Sequence, residues 1–386
     1  MTHFDKVIDR SGTGSIKWDK YKDYPDVIPM WVADSDFQTC PAVMDALQKR
    51  VAHGVFGYTA QPTDELAESI IYHLDKCFAW QIDSEWIILL PSLVSGLNLS
   101  CHIAGNMGDT VISPATIYPP FKTAPINAQR EVLTVPMHLL DGRWVLDFDA
   151  LEHALETQSQ IRMLLFCNPH NPGGTVYTRH ELEHLHSICQ QHDILVCSDE
   201  IHCDLMLDRD KQHIPLATLN EDAAMRTITL MAASKTFNIA GLSCGFAIVE
   251  NPQLRSQLKH ATQGLLPEVN LLGQIATTAA FTQGDDWMAQ QNDYLRENRD
   301  YLYQEINAIP GLNMVLPEAT FLAWIDVSSL DLQDPYQFFL EAGVGLSAGS
   351  AFGDNNFVRL NFACPKSTLI EAVRRIKNAV QPFSNA

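Results

Sequence analysis

The chain has 386 residues, 46% of them apolar and 19% charged, enough to fill one large core or two moderate ones. Lysine and arginine total 26 against 46 aspartates and glutamates, a formal net charge of −20. That balance excludes nucleic acid or an anionic membrane surface as an expected partner, while leaving room for a local anion site.

The opening, MTHFDKVIDRSG, lacks the apolar core of a signal peptide, and nine cysteines without paired C-x-x-C spacing read as buried thiols in a reducing compartment. A cytoplasmic protein is expected. The most apolar long window, 87–105 (IILLPSLVSGLNLSCHIAG), is broken by Pro91, Ser92, Asn98 and His102, which argues against a membrane span. Within it LPSLVSGLN sets Ser92 at the start of a helix, with Leu93 and Val94 in the first turn. The free N–H groups and the dipole there suit an anion.

Short β-rich runs without polar alternation follow at 110–113 (TVIS), 161–167 (IRMLLFC), 194–198 (ILVCS), 227–231 (TITLM) and 245–249 (GFAIV), the pattern of strands buried on both faces. Between two of them, 179–192 carries Leu182, Leu185 and Ile188 at helical spacing, with Thr178 as N-cap. This rhythm predicts an α/β fold with a mostly parallel sheet between helices and ligands at the carboxyl ends of strands. After about 285 the texture changes to an amphipathic helix over 286–308, bearing Trp287, Tyr294, Leu295 and Tyr301, and strands at 321–327 and 357–363. The expected division is a segment 1–45 joining the small domain, a large domain 46–285 and a smaller α+β domain 286–386.

Three strand ends hold the chemistry. LLFC runs into NPHNPGG, ILVCS into DEIH, and ITLMAAS into Lys235, so Asn171, Asp199 and Lys235 are 28 and 36 residues apart, each near the length of one β-α-β unit. In a parallel sheet the three converge on one edge. A lysine held there is kept from bulk water, which lowers its pKa and frees its amine as a nucleophile.

Amide, carboxylate and lysine together suit pyridoxal phosphate: the lysine joins the aldehyde, the acid keeps the ring nitrogen protonated, and the amide bonds the ring oxygen. Ser92, Leu93 and Val94 supply phosphate donors, Ser234 adds a hydroxyl beside the lysine, and Tyr118 in SPATIYPPF offers a stacking ring. Taken singly, each has a plainer explanation: Lys235 snorkelling from a strand end, Asn171 fixing a turn, Asp199 capping a helix, Tyr118 filling core. The run VCSDEIHCD also crowds Cys197, Asp199, Glu200, His202 and Cys203 together, but in no common zinc spacing.

NPHNPGG, SDEIH and SKTFNIAGL resemble the signatures of fold-type I pyridoxal-phosphate enzymes, the aminotransferase superfamily. FDKVIDRSGTGSIKWD, MWVADSDF, HGVFGYT, YPPF and FVRLNFACP resemble the MalY/PatB group of cystathionine β-lyases, or C-S lyases, from about residue 4 to the C-terminal helix. The resemblance implies a seven-stranded, mostly parallel sheet in the large domain. It makes Lys235 the cofactor-bearing lysine, Asp199 the partner of the ring nitrogen, Asn171 the ring-oxygen donor and Tyr118 the stacking ring. Tyr58 would reach the phosphate of a neighbouring subunit in a homodimer, and His202, just past the SDE, is a cofactor-side candidate with no assigned role. Arg359 would bind the α-carboxylate of an amino-acid substrate. Strand alternation agrees, since Val358, Leu360 and Phe362 share one face and Arg359 lies on the other; a surface ion pair is the plainer alternative.

Aminotransferases of the superfamily commonly carry an arginine eight residues after the lysine, where this chain has Ser243. That departure favours α,β-elimination of a sulfur-substituted L-cysteine, giving pyruvate, ammonia and a thiol. The rivals are an aminotransferase with the same site and, from another class, a regulatory binding protein with secondary lyase activity.

Overall fold

The computed structural model describes residues 3–382. Its centre is a seven-stranded sheet of β1 (Ile87–Leu90), β2 (Thr110–Pro114), β3 (Glu131–Val135), β4 (Ile161–Cys167), β5 (Leu195–Asp199), β6 (Thr227–Met231) and β7 (Gly245–Ile248). Their spatial order is β1-β7-β6-β5-β4-β2-β3, and β7 alone runs antiparallel to both neighbours. The five runs without polar alternation are five of these strands. The two outermost, β1 and β3, complete the sheet.

Alternate side chains of β4 explain why its sequence shows no polar alternation. Met163 and Leu165 enter one apolar cluster with Leu97, Val111 and Leu230, whereas Leu164 and Phe166 enter another with Leu182, Leu185 and Val196. Each large apolar side chain withdrawn from water this way contributes about 1.5–3 kcal/mol. The covering helix Arg179–Gln191 starts at Thr178 with a capping box, Thr178 Oγ1 accepting from the Glu181 N–H and Glu181 Oε2 from the Thr178 N–H. At its far end Asp193 takes a positive φ of 51°, turning the chain into β5.

The helix Asp285–Asn307 buries Trp287, Tyr294, Leu295, Leu302 and Ile306. Trp287 stacks on Phe237, two residues past Lys235, at 5.7 Å, so the apolar core runs unbroken from the central sheet into the C-terminal part. There Asn313–Met314, Leu322–Asp326, Phe357–Asn361 and Ser347–Ala348 form an antiparallel sheet in that order. The N-terminal segment joins it: Ile28–Pro29 pairs in parallel with Val344–Gly345, the Asn361 N–H donates to Met30 O at 2.9 Å, and the Asp36 N–H donates to Ala363 O at 2.9 Å. This returns residues 31–36 to the carboxyl edge of the central sheet. Among the described residues no helix is long and apolar enough to cross a membrane.

Candidate active site

The register brings three strand ends level. Cys167 pairs with Asp199, and Asp199 with Leu230, so β4, β5 and β6 deliver their following residues to one edge. Asn171, Asp199 and Lys235 all line a single cavity of about 670 Å³, together with Ser92, Leu93, Val94, Tyr118, His202, Ser234 and Arg359. That volume is ordinary for a small-molecule site.

Asn171 is held by the loop after β4, which folds on itself through His170 N–H to Thr175 O at 2.8 Å and Gly174 N–H to His170 O at 2.7 Å. Gly174, at φ +73°, lies so close to Pro317 that a Cβ would meet Pro317 Cβ at 2.4 Å, so no other residue fits there. Arg359 reaches in from the small sheet, pairing there with Trp324 and Ser347. Its Nη1 donates to Asn171 Oδ1 at 2.9 Å and its Nη2 to Trp31 O at 2.9 Å, while its buried Nε has no partner. Burial draws its pKa down to about 10. A buried guanidinium held by three neutral acceptors, the third being Ser347 Oγ at 3.4 Å from Nη2, with a donor to spare, is prepared for an incoming carboxylate. Because Arg359 occupies the Asn171 oxygen, the amide NH₂ of Asn171 is left as the donor a ring oxygen needs.

Lys235 Nζ donates to Ala33 O at 2.6 Å. Burial lowers its pKa to about 8, against the opposing pull of Asp34. Burial also raises Asp199 to about 7, opposed by the Ile201 N–H, which donates to Oδ1 at 3.2 Å, and by the charge of Lys235. A buried carboxylate so placed ionises fully only when a cation comes to it, as a protonated pyridine nitrogen would. His202, 2% exposed, is pushed to about 3 by burial and by the charges of Lys235 and Arg359, and its buried Nδ1 has no partner. It is therefore a neutral ring on the cavity wall. Burial likewise raises the phenol of Tyr118.

Also on the cavity lining, Ser92 caps the helix Leu93–Ile103, its Oγ accepting from the Ser95 N–H at 3.1 Å. The first-turn N–H groups of Leu93 and Val94 have no intrahelical partner. The helix sits hard against the sheet because Gly96 has no side chain; a Cβ there would meet Leu230 Cδ2 at 2.8 Å and Leu90 Cδ1 at 2.9 Å. The cavity thus offers anion donors, an amine, a carboxylate, an amide and a guanidinium on one lining. This donor set fits pyridoxal phosphate with an amino acid above it.

Tyr58 is the one expected residue that does not reach this cavity. It is fully exposed, in a loop that also exposes Val55 and Phe56. The crowded acids and thiols of VCSDEIHCD also diverge. Glu200 Oε2 pairs with buried His213 Nε2 at 2.7 Å, Asp204 Oδ1 with His73 Nε2 at 2.9 Å, and Cys197 packs in the core. Unforeseen were the carbonyl of Ala33 and the ion cluster behind it, where Arg10 and buried Lys17 both pair with Asp34 and Asp36. Asn361 Nδ2 fixes the same loop through the carbonyls of Val32 and Asp34 at 2.7 and 2.6 Å. The stretch MWVADSDF was visible in the sequence, but it is 202 residues from the lysine it serves.

The sequence matches the aminotransferase class I and II family over residues 25–376. It is 35% identical over 388 residues to cystathionine beta-lyase PatB of Bacillus subtilis, covering 98% of this chain and 100% of that one. The crystal structure of OvoB superposes with a TM-score of 0.94 at 47% identity, covering 98% of this chain and 99% of OvoB. Cystalysin from Treponema denticola, whose crystal structure contains pyridoxal 5′-phosphate, superposes with a TM-score of 0.94 at 30% identity, covering 99% and 100% of the two chains.

Proposed function

The chain belongs to the aminotransferase class I and II family of pyridoxal-phosphate enzymes, and from that membership we propose the reaction and the residue roles that follow. The protein is a carbon–sulfur β-lyase acting on L-cystathionine or related S-substituted L-cysteines. The observation that carries this reading is the buried Arg359 fork, free of any acid partner, lining the same cavity as Lys235 and Asp199.

Bound in this cavity, pyridoxal phosphate supplies an aldehyde that holds the substrate amine and a ring that takes up electrons from Cα. Ser92, Ser234 and the N–H groups of Leu93 and Val94 would hold its phosphate, and Asn171 would donate to its ring oxygen. Tyr118 would offer a stacking ring, with neutral His202 on the cavity wall. Asp199 would keep the ring nitrogen protonated. Arg359 grips the α-carboxylate and turns the Cα–H bond toward Lys235. Burial lowers the pKa of the Lys235 amine to about 8, so near neutral pH it is free base far more often than an ordinary lysine. It takes the Cα proton, the Cβ–S bond breaks, and sulfur leaves with the bonding pair as a thiolate. The remaining enamine would be released in exchange for the Lys235 amine, and water would hydrolyse it to pyruvate and ammonia, so cystathionine yields homocysteine.

Ser243 stands in a positive-φ turn at the cavity edge where an arginine would serve the phosphate in an aminotransferase. L-cystathionine should therefore give pyruvate with no added 2-oxo acid, at a rate that adding one does not raise. Strict dependence on an oxo acid would move the assignment to transamination.

The reading extends to a two-fold dimer, supported by the exposed Val55, Phe56 and Tyr58, an apolar loop suited to cover by a partner. Tyr58→Ala and Lys235→Ala chains, mixed and allowed to exchange, should regain about a quarter of wild-type activity: half the dimers are hybrids with one complete site. Confirmed hybrids with no recovery would remove Tyr58 from a shared site. The division at about residues 45 and 285 belongs to the same reading, supported by the pairing of Ile28–Pro29 with Val344–Gly345. So does a cytoplasmic location, for which the nine unpaired cysteines speak.

A further inference from the structure

Lys20, an exposed residue just past the short helix Ile16–Asp19, lines the same cavity. An exposed lysine ordinarily samples many rotamers. This one is held by aromatic rings: Nζ lies 4.3 Å from the ring centroid of Trp31, 4.9 Å from that of Tyr336 and 5.3 Å from that of Tyr21. Two of the rings are themselves fixed. Trp31 Nε1 donates to Lys17 O at 3.0 Å, and Tyr21 is pressed so closely on Gly345 that a Cβ there would meet its ring at 2.5 Å. No acid is paired with Lys20 among the described residues.

Trp31 ties this cation to the substrate's position. Its carbonyl accepts from Arg359 Nη2 at 2.9 Å, while its ring carries Lys20. One residue therefore spans from the α-carboxylate fork to a second, fixed cation at the cavity mouth. Among the described residues Asp199 is the only carboxylate lining the cavity, and the cofactor ring would engage it, so the lining holds no second carboxylate to repel a substrate anion. With Arg359 and Lys235 committed to the α-carboxylate and Cα, Lys20 is the remaining lysine or arginine lining the cavity that a group on Cβ could meet.

We infer that Lys20, fixed by Trp31 and Tyr336, is a subsite for a carboxylate borne by the thiol leaving group, making S-substituted cysteines with an acidic distal arm the preferred substrates. This rests on the β-lyase reading above. The rings add an apolar wall for the methylenes, or for a flat group, between sulfur and that carboxylate.

The test compares holoenzyme of wild type, Lys20→Met, Lys20→Glu and Lys20→Arg on L-cystathionine, whose leaving group has a carboxylate, and S-ethyl-L-cysteine, whose leaving group has none. The ratio of their kcat/KM values should fall about tenfold in Lys20→Met, the order of one charge-assisted hydrogen bond. It should fall further in Lys20→Glu and return toward wild type in Lys20→Arg. Calorimetric titration of the same proteins with glutarate and butyrate reads the subsite without turnover, and glutarate should lose the larger factor. An unchanged ratio, or equal losses on both substrates, overturns the subsite. Wild type that releases pyruvate from neither substrate, yet whose glutarate affinity depends on Lys20, would remove the lyase reading and support the subsite.

Discussion

Lys235→Ala is expected to lower pyruvate release by at least about 10³-fold, since it removes the base that takes the Cα proton. The effect should be chemical rather than structural. The side chain makes one hydrogen bond, to Ala33 O, and fills space that opens into the cavity. The variant should fold, bind the cofactor without a covalent link, and recover part of its rate when a small primary amine such as methylamine is added. Recovery should rise with pH as the amine loses its proton, whereas wild type should already be active near pH 8 because burial has lowered Lys235 to about 8. Near-normal turnover without added amine would place the base elsewhere.

Asp199→Asn should cost about 10² to 10³-fold in kcat, the scale of losing one preorganised electrostatic stabiliser. The substitution separates two roles that are hard to distinguish by position. The Oδ1 of Asp199 accepts from the Ile201 N–H at 3.2 Å, and an asparagine oxygen can accept the same bond. Only the charge is lost, and with it the protonated state of the ring nitrogen. If Asp199 were merely a turn cap, Asp199→Asn would be nearly silent. A variant that retains most of its cofactor but little of its turnover would identify the carboxylate as the ring's partner.

The central strands were legible because burial on both faces leaves continuous apolar runs, as in β4, whose boundaries 161–167 match those expected. β3 escaped notice because, at the sheet edge, Glu131 and Thr134 are exposed and break the apolar run. β1 was hidden in the apolar window 87–105, which the chain divides into a strand and the helix Leu93–Ile103 at Pro91 and Ser92. The convergence of Asn171, Asp199 and Lys235 was legible because successive parallel strands, joined by helical crossovers, bring their carboxyl ends to one edge. The face of Arg359 followed from alternation along Phe357–Asn361, and its role from resemblance. Nothing local could show that Ala33 O receives Lys235, or that Lys17, buried to 1% exposure, supports that loop through Asp36. Those contacts depend on the N-terminal segment docking beside Val344–Gly345, which no propensity encodes.

The central claim, that the chemistry is built on Lys235, is tested most directly by locating the cofactor. Holoenzyme reduced with borohydride and digested should carry the reduced pyridoxyl phosphate mass on the peptide containing Lys235 and on no other lysine peptide. Label on Lys20, Lys17 or any other lysine, or no label on a protein that nonetheless releases pyruvate from L-cystathionine, would contradict the account.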